Sequence, residues 1–360
     1  MGSIAAVTIP RATSTVTASR GIASTAAPRF PAAPAAPAAA AAPTASSSSA
    51  SAAASLFLSL SLQHLSLSLD ASLGALTITM SRPALHNAFN EVLIAEMRQV
   101  FDTIAAGVAA GSGPLASLRA VVLTGSGASF SAGADLSWMQ KMRSYSESEN
   151  LADATLLFEM IRSIRDCPLP TIARVNGAAL GGGVGLVSAC DMAFTVSTAS
   201  FGLTEVKLGL SPAVISSFVM SKISAAAARQ YFLTGARFPA EEALRIGLVS
   251  RVSADEAALD KLVQSTLEEL ALNSPAAVRA TKSLLGFMSD SSNAPQAQGY
   301  VTSLIARLRV SKEGQEGLGA FFEKRKPAWV PAHLGNPKPR APKGDKPAAA
   351  TAEKEKKASS

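Results

Sequence analysis

Cysteine is nearly absent from this chain of 360 residues: Cys167 and Cys190 are too few for a disulfide framework, and no CxxC or His/Cys spacing suggests a metal. The three histidines, His64, His86 and His333, are scattered, so no metal site is expected. Aromatic residues make up only 5%, which leaves packing to alanine and the aliphatic side chains. No run of eighteen or more apolar residues has transmembrane character. The alanine tract at 32–42 is broken by prolines and too weakly hydrophobic to span a bilayer, so no membrane partner is expected. Acidic residues are missing from positions 1–69, which carry Arg11, Arg20 and Arg29.

That last absence explains most of what the net charge of +7 first suggests. Three unopposed arginines in 1–69, together with seven Lys or Arg against three acids in 335–360, account for the whole excess. Residues 70–334 are neutral, so the basic balance says nothing about their ligand, and no nucleic-acid partner is expected. Residues 1–55, rich in Ala, Ser, Thr and Pro, cannot bury enough apolar area to offset the entropy of ordering. Arginine with serine and no acids is the composition of an organelle transit peptide; a low-complexity tail is the alternative. The Pro- and Lys-rich stretch 335–360 is expected to be a solvated, disordered tail.

Between the tails the pattern is α/β. His64–Leu69 and Ala75–Met80 alternate as two short strands around a Gly-containing turn. Asn90 precedes an apolar-periodic helix through Val92, Leu93, Met97, Val100 and Ile104. Leu118–Thr124 and Thr171–Val175 are buried strands, Ala193–Val196 is another, and Leu156–Ile164 is a helix. From Ser224 the chain is mostly helical. This predicts a core over 64–255 and a helical region over 256–330.

Two loops carry candidate chemistry. Phe130-Ser131-Ala132-Gly133-Ala134-Asp135 follows a buried strand and a Gly-rich turn, and its small residues leave main-chain N–H groups uncovered. Asn176 to Gly185 (NGAALGGGVG) follows another strand and leads into an apolar helix, Leu186–Cys190, where free N–H donors and a helix end favour negative charge. A phosphate P-loop would need Gly-Lys-Ser/Thr after the glycines, which is absent. A dinucleotide fingerprint counted from Gly181 would need glycine where Leu186 stands, and Glu205 downstream follows a loop-like Thr-Ala-Ser-Phe-Gly. Two donors converging on one oxygen would suit acyl-CoA chemistry, in which negative charge develops on a thioester carbonyl. A carboxylate raised by apolar surroundings is also needed, and Glu205 within FGLTEVKLGL is the candidate. The bland alternative is an exposed helix-start glutamate paired with Lys207.

FSAGAD, VNGAALGGG, SACDMAF, FGLTEVKLGL and LTGARFPAEEALRIGLVSRV stand in the order and spacing of the enoyl-CoA hydratase/isomerase (crotonase) superfamily, which the chain resembles over roughly 64–330. The resemblance implies a spiral of repeated strand-strand-helix units with a helical C-terminal trimerisation region, assembled as a homotrimer or a dimer of trimers. It implies an oxyanion hole from the N–H groups of Ala134 and Gly182, with Glu205 as acid/base. Ala132, Asp135, Leu136 and Gly181 would lie along the acyl-CoA path, and Lys324 or Lys326 on the last helix would meet CoA phosphates. Coenzyme A would be part of the substrate, with no separate cofactor. Such a function favours the mitochondrial matrix as the transit destination, with plastid or peroxisome as alternatives.

One departure matters. Many hydratases of the family carry a second glutamate two residues after the GGG run, where this chain has Gly185. Asp191, read as lying on the following helix, does not match that position. The resemblance therefore leaves two activities. One is a hydratase like methylglutaconyl-CoA hydratases, a likeness carried by GGGVGL, Pro212–Ser216, Tyr231–Thr234 and His86–Phe89. The other is a Δ3–Δ2 enoyl-CoA isomerase using a single glutamate. A catalytically silent fold acting as an assembly or nucleic-acid partner is the reading from another class. His86 is expected to be structural or capping, Cys190 to be a buried hydrophobe at a helix start, and Cys167 to be inert.

Overall fold

The computed structural model describes residues 60–335. The transit peptide expected over 1–55 and the tail expected over 335–360, Gly335 excepted, lie outside the described residues.

Among the described residues, ten strands form two sheets. The chain enters through β1 (Leu65–Asp70) and β2 (Ala75–Met80), an antiparallel hairpin. Helix α1 (Glu91–Ala110) follows, then β3 (Ala120–Gly125) and β4 (Ser129–Ser131). Helices α2 (Leu136–Met142) and α3 (Glu147–Arg165) come next, then β5 (Thr171–Val175), β6 (Ala178–Leu180) and α4 (Gly182–Ala189). Strands β7 (Met192–Val196) and β8 (Ser200–Gly202) lead into a short 3-10 turn at Glu205–Leu208 and helices α5 (Ala213–Met220) and α6 (Ala225–Thr234). Strand β9 (Arg237–Pro239), α7 (Ala240–Arg245) and β10 (Arg251–Ser253) close the sheets. The remaining helices are α8 (Glu256–Ala271), α9 (Pro275–Ser289), α10 (Ala297–Val310) and α11 (Lys312–Phe322).

The larger sheet has the order β1-β2-β3-β5-β7-β10, parallel from β2 to β10; the smaller has β4-β6-β8-β9. Each of the pairs β3–β4, β5–β6 and β7–β8 therefore places its first strand in the large sheet and its second in the small one. This is the expected strand-strand-helix repeat. The central strand β3 reads as a nearly continuous apolar run because both of its faces are covered, and every residue of it is buried. Helix α1 begins where the Asn90 side chain accepts from the Leu93 N–H and ends at Gly111 in the left-handed region (φ 64°). Helix α8 packs on β5, β7 and β10 and buries Leu259, Val263, Leu267 and Ala271, an i, i+4 stripe.

Three local expectations are corrected. The helix after the glycines ends at Ala189, so Cys190 is its extended C-terminal cap rather than part of a helix start. Asp191 lies beyond it, not on it: its carboxylate accepts from Thr171 N (2.7 Å) and pairs with Lys282 on α9 (2.7 Å), tertiary bonds that hold it in the turn before β7. The supposedly loop-like 198–202 segment contains β8, whose three residues are too few to show a period. Both cysteines are buried, as expected for Cys190, and burial pushes the Cys167 thiol up to about 11 and Cys190 up to about 12.

Candidate active site

Strands β4, β6 and β8 are parallel neighbours in the smaller sheet, with Ser131 opposite Ala179 and Leu180 opposite Gly202. Neighbouring strands lie about 4.8 Å apart. The three loops leaving their C-terminal ends must therefore emerge side by side. They carry Ala134, Gly182 and Glu205.

Among the described residues the N–H of Ala134 has no partner, for a reason found in the backbone. Phe89 forms an isolated parallel bridge to Ala134, donating its N–H to Gly133 O (2.8 Å) and accepting from Asp135 N (3.0 Å). In a parallel bridge the residue between the two bonded positions turns its own N–H away. Gly182 opens α4, and the first N–H groups of a helix have no intrahelical partner. The two loops touch closely. A Cβ on Gly133 would lie 2.7 Å from Leu180 O and 3.4 Å from Gly182 N, and Gly133 itself has φ 85°. A Cβ on Gly182 would overlap the Phe89 ring. Only glycine at 133 and 182 permits this approach. Exposure alternates along the first loop: Ser131, Gly133 and Asp135 are buried, whereas Ala132 and Ala134 are partly open, as are Gly181 and Gly182.

Glu205 starts the 3-10 turn after β8 and is half-buried. One carboxylate oxygen, Oε1, lies 3.2 Å from where a Gly181 Cβ would stand. The other, Oε2, is buried without a hydrogen-bond partner among the described residues. Burial raises its pKa above the ordinary carboxylate value, more than the backbone hydrogen bond lowers it. Lys207 makes no ion pair with it among the described residues, so the paired, exposed alternative does not describe this side chain. The arrangement can stabilise an oxyanion and move a proton beside it.

The remaining predicted residues divide. Ala132 donates its N–H to His86 O (2.9 Å) and stands beside Ala134. Asp135 has a structural task instead of an open one. Its carboxylate accepts from Ser137 N (2.8 Å), capping α2, and pairs with Arg82 (2.8 Å). Burial works to raise its pKa, but the hydrogen bonds from Ser137 and Arg82 hold it down at about 2. Leu136 is 82% exposed on the first turn of α2. Lys324 does not lie on the last helix, which ends at Phe322; it is exposed in the following turn with φ 54°, and its ammonium has no partner among the described residues. Lys326 is also past the helix and donates to Leu334 O (2.7 Å).

Sequence reasoning missed the segment that holds the first loop. Asn87 is buried with φ 52° and donates to Ser126 O and Ser129 O (both 2.8 Å), while its own carbonyl oxygens accept from Arg82 N and Ser131 Oγ. Arg82 donates to Ala88 O as well as pairing with Asp135. Phe89 then brackets Ala134 and supports Gly182. The available signal was HNAF itself, two polar residues interrupting an apolar stretch before a helix cap. His86 bonds Ser129 Oγ through Nδ1 (3.1 Å), a structural position as expected.

Gly185 has a structural cause too. A Cβ there would meet Ile215 Cγ2 at 2.5 Å and Ile161 Cδ1 at 3.3 Å, so α3 and α5 fill the space a longer side chain would need.

Known proteins share this arrangement of chain. The sequence profile described as enoyl-CoA hydratase/isomerase matches residues 70–331. A crystal structure of an enoyl-CoA hydratase from Shewanella pealeana is 40% identical, covers 76% of this chain and 98% of its own, and superposes with a TM-score of 0.70. An enoyl-CoA hydratase of Alternaria alternata is 34% identical over 59% of this chain and 66% of its own length. The human mitochondrial Δ(3,5)-Δ(2,4)-dienoyl-CoA isomerase is 30% identical over 71% of this chain and 81% of its own. With the two-sheet crotonase fold and a profile match over residues 70–331, the chain is an enzyme and belongs to the enoyl-CoA hydratase/isomerase family.

Proposed function

We propose that the chain hydrates a 2-enoyl-CoA thioester, with a branched acyl group such as 3-methylglutaconyl as the preferred substrate. The observation that carries this reading is the row of three neighbouring strand ends: two uncovered amides and one desolvated carboxyl group. The N–H groups of Ala134 and Gly182 receive the thioester oxygen. The Glu205 carboxylate takes a proton from water as the water oxygen bonds to Cβ, and the C=C electron pair moves to the thioester as an enolate. The same carboxyl group then returns its proton to Cα. One H and one OH are added, and Glu205 ends as it began. The amides stabilise charge that exists only during the reaction, so they lower the barrier rather than merely bind.

A second reading is favoured by the packing at Gly185 and by the dienoyl-CoA isomerase relative. With Ile215 and Ile161 filling that side, Glu205 is left as a lone proton carrier. A lone carboxyl group can take a proton from C2 or C4 and return it to the other, giving a Δ3–Δ2 isomerase. In both readings coenzyme A arrives as part of the substrate and no separate cofactor takes part. The acid-free, Arg-bearing N-terminal stretch and the mitochondrial relative support the mitochondrial matrix as the location. The apolar side chains left exposed on α9–α11 support a homotrimer or a dimer of trimers. Incubating the purified chain with 3-methylglutaconyl-CoA, crotonyl-CoA and a 3-enoyl-CoA, with products followed by mass, tests all of this chemistry. Gain of one water marks hydration, unchanged mass with a shifted double bond marks isomerisation, and no product from any of them refutes both.

A further inference from the structure

A second group of charged side chains lies at the opposite end of the larger sheet. The candidate catalytic loops follow β4, β6 and β8 of the smaller sheet, which the chain enters from the C-terminal ends of β3, β5 and β7, whereas Gly74 and Arg119 stand just before β2 and β3. Six-residue strands at about 3.3 Å per residue separate the two ends by roughly 20 Å. Here a cavity of about 400 Å³ opens between the sheet, the start of α9 and the segment after α11. Its lining includes Arg119, Arg279, Glu313, Trp329, Pro331 and His333.

The charges in this cavity do not balance. Arg119 donates to Ala271 O (3.0 Å) and Trp329 O (2.5 Å), both neutral carbonyls. Arg279 has no hydrogen bond and no ion pair from its guanidinium among the described residues, although it is only partly exposed. Both arginines also line a small adjoining void of about 10 Å³, so the two cations face the same space. Glu313 is the one carboxylate in the lining, and it is already engaged by Ser274 Oγ (2.5 Å) and Ala276 N (2.9 Å) at the start of α9. Burial disfavours the charge on each arginine, and Glu313 offsets this. A guanidinium does not shed its proton, so the excess charge calls for a counter-ion. Its forked N–H groups match two oxygens of a tetrahedral oxyanion.

We infer that this cavity is a phosphate-binding site, separate from the catalytic one, in which Arg279 and Arg119 hold a phosphate dianion between α9 and the C-terminal segment. The volume exceeds that of inorganic phosphate, and Trp329 and Pro331 give one wall an apolar surface, so a small phosphomonoester also fits the chemistry. A ligand here ties α9 and residues 328–333 to the sheet, so binding is read as stability and does not depend on the reaction proposed for Glu205.

The test uses the full chain and equilibrium dialysis against radiolabelled inorganic phosphate, with glycerol 3-phosphate as a competing arm and chloride at matched ionic strength as control. One phosphate per chain is expected, with a rise in Tm of roughly 5 °C at a hundred-fold excess over Kd. Tighter competition by glycerol 3-phosphate than by unlabelled phosphate assigns the site to phosphomonoesters; the reverse assigns it to free phosphate. Arg279→Gln is expected to weaken binding at least tenfold while leaving turnover of enoyl-CoA unchanged. Arg279→Lys, which keeps the charge and loses the fork, supplies the same comparison if the glutamine variant does not fold. No bound phosphate in the wild-type chain, or equal binding in a folded Arg279 variant, overturns the inference.

Discussion

Helices α1 and α9 are twenty and fifteen residues long, yet α1 buries seven side chains and α9 buries none. The same contrast divides the chain. Elements between β1 and α8 supply nearly all of the buried core, although single side chains such as Leu136 and Leu233 stay exposed, and the three candidate loops grow from that packed part. Helices α9, α10 and α11 bury only Ala320 between them and leave Leu285, Met288, Ile305, Phe321 and Phe322 largely exposed. A helix with an unsatisfied apolar face needs another surface. The lesson is a division of labour: chemistry needs donors held to fractions of an ångström, so it is built where packing leaves no slack, while the outer helices are shaped for something beyond their own core. Substitutions in the two regions should therefore fail in different ways.

The largest effect is expected at the carboxyl group. Glu205→Gln should reduce turnover by about 10²–10⁴-fold, with KM for enoyl-CoA changed little. The pH profile adds a signed test. Burial raises the Glu205 pKa above its usual 4.5, and hydration needs the ionised form. The acid limb of kcat/KM should therefore fall at a pH above the ordinary carboxylate range and disappear in the glutamine variant. A variant that hydrates at the wild-type rate would remove Glu205 from the mechanism.

Next comes the fit between Phe89 and Gly182. Gly182→Ala keeps the amide but drives a Cβ into the Phe89 ring, displacing the donor. A loss of about 10²–10³ in kcat is expected, comparable to removing one oxyanion donor. Phe89→Leu in the same chain makes room, so the double variant should recover part of the loss. The two effects should be non-additive in a double-mutant cycle. Additive losses would show that the ring does not position the amide.

Much of this was readable beforehand and some was not, for physical reasons. β5 was predicted at its observed limits, Thr171–Val175, because four of its five residues are buried between covered faces and only Arg174 reaches out to Glu256 and Asp260. The glycines at 133 and 182 announced themselves because close backbone approach leaves few other choices. The placement of Glu205 beside Gly181 could not be read, since it depends on β8 joining β6, and three-residue strands carry no period. The role of Asp135 was hidden for a similar reason: its partner Arg82 is 53 positions away. Gly185 looked like a missing catalytic residue until Ile215 and Ile161 were seen against it.

Asp135 gives the third prediction, one of stability. Asp135→Asn leaves Arg82 buried without its partner and weakens the cap of α2, at a cost of roughly 3–5 kcal/mol in urea denaturation. The folded pKa is depressed from an ordinary 3.8 to about 2. The wild-type contribution is thus fully present above pH 3.8 and is lost as pH falls through the folded value. The difference in stability between the two proteins should narrow over that acid window. An unchanged difference down to pH 2 would mean that the Asp135 charge contributes nothing.

The smallest effect on the core, and the sharpest on the comparison, is expected at α11. Phe321 and Phe322 are 76% and 75% exposed and pack edge to face on each other with centroids 5.6 Å apart. Within one chain, replacing both by Asp removes almost no burial, so the core should keep its secondary structure and its unfolding midpoint at low concentration. If α11 instead packs against other copies, two charges enter an apolar contact, and desolvating them is costly. Sedimentation should then show the mass falling to that of one chain, with the far-ultraviolet spectrum unchanged. Activity that falls together with the mass would mean that the rigid region needs its neighbours to complete the site. Activity that survives in the single chain would mean that β4, β6 and β8 carry the chemistry by themselves, and a mass that does not change would deny α11 any part in assembly.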